Sequence, residues 1–201
     1  MKELLIESKG IKTDHYYIPP FEVREGDFVF IHLENHIASC DVEEKVIAIF
    51  TGKEKNGNVT INKPHTFVKQ VRESEFRRRF FPTTVGEYLF RNMKRESKFA
   101  KRIYEIDWIN KNTQLIRLPG NPRKLISLYS VLSKTNHIIF DLVAQDFEGI
   151  EHAAKIVKDE IGGKGSAILV DRCDVLKKFC TQHIRIEWFI DLKEDARKFN
   201  F

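Results

Sequence analysis

Three short stretches of almost unbroken apolar character most restrict what this chain can fold into: FVFI at Phe28–Ile31, HIIFDL at His137–Leu142 and SAILV at Ser166–Val170. A strand with one wet face alternates apolar and polar residues, so a run that is apolar at consecutive positions must be covered on both sides. Helical patterns separate the runs, at Asp41–Phe50, Pro122–Ser133 and Glu148–Ile161. Gly52 closes the first of these helices, and the turn Gly162-Gly163-Lys164-Gly165 follows the last. This order predicts an α/β domain whose mainly parallel sheet carries helices on both faces. Upstream, ELLIES, FEVREGDFVFI with its turn at Glu25-Gly26-Asp27, and GNVTIN read as short β elements of an antiparallel part. From Pro82 to about Asn112 the pattern turns helical and charged, with Val85, Leu89, Met93 and Phe99 on one side.

A chain of 201 residues with 42% hydrophobic content buries one good core, so one domain spanning 1–201 is expected. Its longest apolar runs, such as Val46–Phe50 and Ala167–Val170, fall far short of the roughly 18 to 20 residues of a membrane span. The start MKELLIESKG lacks the basic and long apolar regions of a secretory signal, which makes a cytoplasmic location the default expectation. Three cysteines, Cys40, Cys173 and Cys180, form no disulfide framework and fit free thiols in a reducing compartment. The net charge of +5 is concentrated: Lys69–Arg102 holds eleven Lys and Arg against four Glu. Such a surplus suits a solvated helical face, or a surface meeting an anionic partner, anionic lipid or nucleic acid.

The segment RLPGNPRKLISLYSVLSKTNHIIFDLVAQDFEGIEHAAKIVKDEIGGKGSAILVDRCD runs helix, strand, helix, strand, and its first strand ends in Asp141. An acidic residue at the carboxyl end of a buried parallel strand lies where α/β proteins hold ligands and metal ions. The segment resembles the second half of an ATP-binding cassette, the nucleotide-binding domain of ABC transporters, in which a signature helix leads into the Walker B strand. Leu118 and Gly120 keep the signature pattern, and Asp141 takes the magnesium-organising position. Upstream, PPFEVREGDFVFI resembles the hairpin before the P-loop, FTGKEKNGNVTIN the turn after the P-loop helix, and FFPTTVGEYL the start of the helical subdomain. The resemblance covers about Leu5 to Asp174. It implies a P-loop NTPase-like ABC ATPase fold with a helical subdomain inserted at 82–117.

Departures from the family are concentrated where it does chemistry. A P-loop uses glycines to wrap backbone N–H groups around phosphate, a lysine to neutralise it and a hydroxyl to hold magnesium. Counted back from Gly52, the lysine position falls on Glu43 and the hydroxyl pair on Glu44 and Lys45, and no glycine occurs between Gly26 and Gly52. A shifted alignment offers only Ser39 and Lys45. The glutamate that follows the Walker B aspartate in the family is here Leu142, which cannot accept a proton, and the switch histidine aligns with Arg172. The signature reads Leu118-Pro119-Gly120-Asn121-Pro122, with prolines removing backbone donors. Gln70 represents the Q-loop glutamine.

The resemblance with these departures points to a cytoplasmic ABC-subunit-like pseudo-ATPase at the inner face of the membrane. It would serve as scaffold or regulator for a transmembrane subunit, a second ABC domain or both, as a homo- or heterodimer. No cofactor is expected on this reading. Arg77, Arg78 and Arg79 would face the partner or the membrane. An active ATPase that binds ATP and magnesium through a diverged P-loop is one alternative. A basic nucleic-acid-binding module is another, since Phe76, Phe80, Phe81, Tyr88, Phe90 and Phe99 interleave with the basic residues; those aromatics better suit the small core of a helical subdomain, and nucleic acid is the less favoured partner. His32, His36 and Cys40 would share one face only if their loop were helical, so a metal site there is a weak candidate beside solvated loop residues, and none is expected. Cys173, Cys180 and His183 form a similarly weak set. The tail IRIEWFIDLKEDARKFNF reads as a strand or amphipathic end with exposed aromatics.

Overall fold

In the computed structural model, which describes residues 2–36 and 38–189, the three apolar runs lie side by side. Strands β1 (Leu4–Ser8), β2 (Ile11–Lys12), β3 (Tyr16–Ile18), β4 (Phe21–Arg24) and β5 (Phe28–His32) precede helix α1 (Ser39–Phe50). Then come β6 (Val59–Ile61), β7 (Thr66–Phe67), α2 (Glu75–Phe80), α3 (Val85–Asn92) and α4 (Gly120–Leu132). The chain continues through β8 (His137–Phe140), α5 (Phe147–Ile161), β9 (Ser166–Asp171), β10 (Gln182–Arg185) and β11 (Glu187–Trp188). The central sheet has the order β10-β5-β9-β8-β7, and every neighbouring pair is parallel. A separate antiparallel sheet, β4-β1-β6, forms the N-terminal part, and β11, β3 and β2 make a third.

The sheet separates two apolar cores, which is why its strands are apolar at consecutive positions. Phe28 and Phe30 of β5, Phe140 of β8 and Leu169 of β9 face a core shared with α3, α4 and α5. Val29, Ile31, Ile139, Ile168 and Val170 face the other, built with Val46, Ile49 and Phe50 of α1 and with the antiparallel sheet. A single-residue slip of any central strand would exchange these two sets, so the double burial pins the register. At its end, α1 is capped by Thr51, while Gly52 supplies the left-handed backbone (φ +75°) that turns the chain toward β6.

The stretch expected to be helical from Pro82 to Asn112 is mostly not. Only Val85–Asn92 is α-helical, opened by a capping box between Thr84 and Glu87. The helix stops because Met93 turns to extended backbone as its side chain enters the core, and the Lys94 N–H then donates to Ser133 Oγ of the residue after α4. The remainder is turns and the 3-10 segments Arg102–Glu105 and Leu115–Arg117. Residues 82–117 depart and return at one place: the Leu115 N–H donates to Thr83 O and the Val85 N–H to Thr113 O, beside a Thr84–Gln114 bridge. Val85, Leu89, Met93 and Phe99 are all buried, in the same core as the sheet.

Candidate functional site

Strands β5, β8 and β9 end together, and the chain between β5 and α1 crosses their carboxyl ends. The described part of that crossing is held largely by its own polar groups, although His36 Nε2 is buried without a partner among the described residues. Leu33 N–H donates to Asp171 O, and His36 N–H to Ser39 Oγ. Ser39 N–H donates to His36 O, and Ala38 N–H to His36 Nδ1. Ser39 Oγ in turn donates to the carbonyl of Glu34, whose backbone is left-handed (φ 57°). The His36 ring lies on Trp188, with centroids 3.9 Å apart and planes 10° from parallel, and Arg185 is ion-paired to Glu34. The amides of Ala38 and Ser39 are thereby engaged within the loop, while Cys40 and Asp41 are exposed in the first turn of α1.

Beneath this loop lies the main electrostatic feature of the chain. Lys124 of α4 is 1% exposed, and its ammonium donates to Asp141 Oδ1 at 2.6 Å and to Val68 O at 3.3 Å. Asp141, 5% exposed, also accepts from the Val143 N–H through the same oxygen. Asp171, at the end of β9, is held by backbone donors: Leu142 N–H to Oδ2, and Arg172 N–H and Cys173 N–H to Oδ1. Glu43, half-buried on α1, joins the group from above. Burial first, and then the charges of Asp141 and Asp171, raise its carboxyl to about 7, against the lowering effect of Arg172 and Lys124. The result is an assembly of three acids and two bases, Glu43, Asp141, Asp171, Lys124 and Arg172.

Lys124 was not among the residues singled out from the sequence. Its role emerges only in the fold, where residues 124–130 are buried at every position, leaving the lysine no wet face, and Asp141 lies at the end of the strand to which α4 leads. Of the predicted positions, Glu43, Asp141, Leu142 and Arg172 gather here. Leu142 contributes its N–H, and Arg172 reaches across to Cys40 Sγ with Nη2 at 2.7 Å. Glu44 and Lys45 are exposed, and Lys45 meets Glu54 at 4.0 Å. Gln70 is half-buried two residues beyond Val68, whose carbonyl Lys124 holds.

The signature-like residues lead into and form the start of α4, where close packing and hydrogen bonds hold them in place. Pro119 is the N-cap and Leu118 and Pro122 are buried. Gly120 lies against the Ala144 carbonyl so closely that a Cβ would fall 1.6 Å from its oxygen. Asn121 is paired in both directions with Asp146: its Nδ2 donates to Oδ1 at 2.7 Å, and the Asp146 N–H returns a bond to Oδ1 of Asn121 at 3.1 Å. Arg123 Nη2 gathers the carbonyls of Leu115, Ile116 and Leu118.

The helical face on which the weak metal candidate depended does not form, and the expected aromatic core forms only in part. His32, His36 and Cys40 do not share a helical face, because His32 ends strand β5 and points Nε2 at Arg172 O, whereas His36 is stacked on Trp188. Among the described residues no three His, Cys, Asp or Glu side chains are grouped to hold a metal, and Cys173, Cys180 and His183 are likewise apart from one another as a set. All three thiols are free, and burial pushes that of Cys180 up to about 12. Nor do the interleaved aromatics all form a core. Phe99 is buried and Tyr88 half-buried, but Phe76, Phe80, Phe81 and Phe90 are exposed, because α2 buries nothing and Phe90 is on the outer side of α3. Arg77 is half-buried and Arg78 and Arg79 are exposed. The tail expected as a strand is β10 and β11 as far as Phe189; the rest lies outside the described residues.

A five-stranded parallel sheet flanked by helices, with an antiparallel part ahead of it and its polar cluster at the strand carboxyl ends, is the architecture of an ABC ATPase domain. Solved structures agree. The chain superposes on a metal-chelate-type assigned ABC transporter in an inward-facing conformation with a TM-score of 0.70 and 13% identity, over 93% of this chain and 80% of that one. CbiO1 of Clostridium perfringens, part of the ABC transporter complex CbiONQ, gives 0.67 and 14% over 98% and 92%. An RNase-L inhibitor gives 0.63 and 15% over 99% of this chain and 42% of that one. No protein-family model and no curated protein sequence matches the chain. At such identities the likeness establishes the fold, the ABC nucleotide-binding fold, and its activity must be argued from the residues.

Proposed function

We propose that this chain is a non-hydrolysing ABC-type subunit, a scaffold or regulator of a membrane transport complex rather than its motor. The observation that carries the proposal is the Lys124–Asp141 pair, because the carboxylate that would organise magnesium is neutralised by an ammonium of the chain itself. The residues present do not fit a magnesium nucleotide. The loop's amides at His36, Ala38 and Ser39 already have partners, and Glu43 places a carboxyl, not a cation, where the β- and γ-phosphates would need one. Leu142 offers no base to a water, and Pro119 and Pro122 remove donors from the signature turn.

Membership of CbiO1 in a transporter complex supports a transmembrane subunit or a second ABC domain as partner. No helix among the described residues is long and apolar enough to cross a membrane, so such a role would depend on a partner that does. Titration calorimetry with Mg-ATP, together with phosphate release, tests the reading. No heat of binding at millimolar nucleotide and no turnover are expected; micromolar affinity or measurable hydrolysis would overturn it.

A further inference from the structure

Helix α2 is the one α-helix among the described residues with no buried residue. A helix of six residues has too little hydrogen bonding to stand in water on its own propensity and normally relies on an apolar face packed against something. Here that face is outward. Phe76, Phe80 and Phe81 are 65%, 56% and 67% exposed, and they pack on one another, with ring centroids 5.1 Å (Phe76–Phe80) and 6.3 Å (Phe76–Phe81) apart. Arg77, Arg78 and Arg79 are interleaved with them, and Arg79 lies over the Phe80 ring at 5.7 Å. None of the three arginines is ion-paired among the described residues.

We infer that α2 and Phe81 form a docking surface for an anionic lipid bilayer, with the three phenylalanines entering the headgroup–acyl boundary and the arginines holding lipid phosphates. An apolar tip ringed by cations is what an interfacial helix presents to such a surface. The wider Lys69–Arg102 block, with its surplus of seven positive charges, adds long-range attraction of the same sign. Single-stranded nucleic acid fits less well, since it needs ring faces free for bases, and here Phe76 and Phe80 cover one another. The inference stands apart from the nucleotide site and holds whether or not ATP binds.

Vesicle co-sedimentation of the full chain tests it, comparing phosphatidylcholine alone with phosphatidylcholine containing phosphatidylglycerol. Binding is expected only to the anionic vesicles and should weaken as salt is raised. Each arginine near such a surface is worth roughly a fivefold change in partition, so Arg77→Gln/Arg78→Gln/Arg79→Gln should lower binding about 100-fold. Phe80→Ser alone and Phe76→Ser/Phe80→Ser/Phe81→Ser should weaken it progressively, with circular dichroism unchanged because these rings support no core. Absence of sedimentation of the unaltered chain, equal binding to both vesicle types, or binding of an oligonucleotide or a membrane protein through these residues with bare vesicles ignored would each overturn it.

Discussion

Replacing Lys124 by methionine should be among the most damaging single changes available to this chain. The substitution keeps the length and apolar stem of the side chain and removes only the ammonium, leaving Asp141 buried without its partner. Lys124 and Asp141 side chains are 1% and 8% exposed and 2.6 Å apart. Coulomb's law at an effective dielectric of about 20 gives an attraction of about 6 kcal/mol at that distance. Most of this is cancelled by the cost of taking both charges out of water, so the net worth of the pair is small while the cost of breaking it is about 3 to 5 kcal/mol. Urea denaturation of Lys124→Met, Asp141→Asn and the double variant closes a mutant cycle. Each single variant should lose about 3 kcal/mol or more, and the double variant far less than the sum, with a coupling above about 2 kcal/mol. Additive losses, or a Lys124→Met variant as stable as the parent, would refute the view that the lysine acts as a buried counter-ion.

Glu43, raised to about 7, costs stability wherever the unfolded chain ionises it and the folded one resists, so the penalty grows as pH rises from about 4.5 to 7 and is absent below that window. Glu43→Gln should therefore stabilise the protein at pH 8, by about 1 to 2 kcal/mol after allowance for partial exposure, and do nothing at pH 4; denaturation at the two pH values measures this. His65 shows the opposite sign. Burial lowers it to about 4, and its Nε2 shares Ser166 Oγ with His137 Nδ1 at 2.7 and 3.0 Å, so the fold needs it neutral. Stability should be intact above pH 6.5 and fall by about 3 kcal/mol between 6.5 and 4, a slope that His65→Gln flattens in urea titrations. Gly120→Ala should lower Tm by several degrees in calorimetry, since its Cβ would meet the Ala144 carbonyl at 1.6 Å and must push the 143–146 segment off α4.

The parallel sheet was legible because β5, β8 and β9 are buried on both faces, which writes itself into the sequence as consecutive apolar residues. The two-residue strands Ile11–Lys12 and Thr66–Phe67 were not, because so short a run carries no period. Residues 93–112 misled for a different reason: charged residues at helical spacing do not make a helix when a side chain such as Met93 gains more by entering the core in extended backbone. In the site, Asp141 was readable from the strand it ends, but Lys124 was not, since a lysine in a helix is ordinarily solvated and nothing local says otherwise. Its partner is 17 residues away, and only the burial of α4 from Lys124 to Ser130 forces the pairing. The pairing of Ser166 with His65 and His137, across separations of 101 and 29 residues, lay equally out of reach of spacing arguments.

The polar cluster also bears on how a fold of this kind can keep its shape while its ligand chemistry changes. Carboxylates at the ends of parallel strands repel one another unless a cation lies among them, and in a nucleotide-binding domain that need can be met by metal or ligand. In this chain α4 supplies the cation, because Lys124 bridges Asp141 to the carbonyl of Val68 and so ties the helix to two strands of the sheet at once. Glu43 eases the balance, because burial and the charges of Asp141 and Asp171 keep its carboxyl protonated to a higher pH than an ordinary glutamate. If that balance is the reason Asp141 persists, its removal is tolerable only together with Lys124. Variants that carry Asp141→Asn and Lys124→Met together should then express and fold where each alone does poorly, a ranking that soluble yield and denaturation midpoints can establish directly.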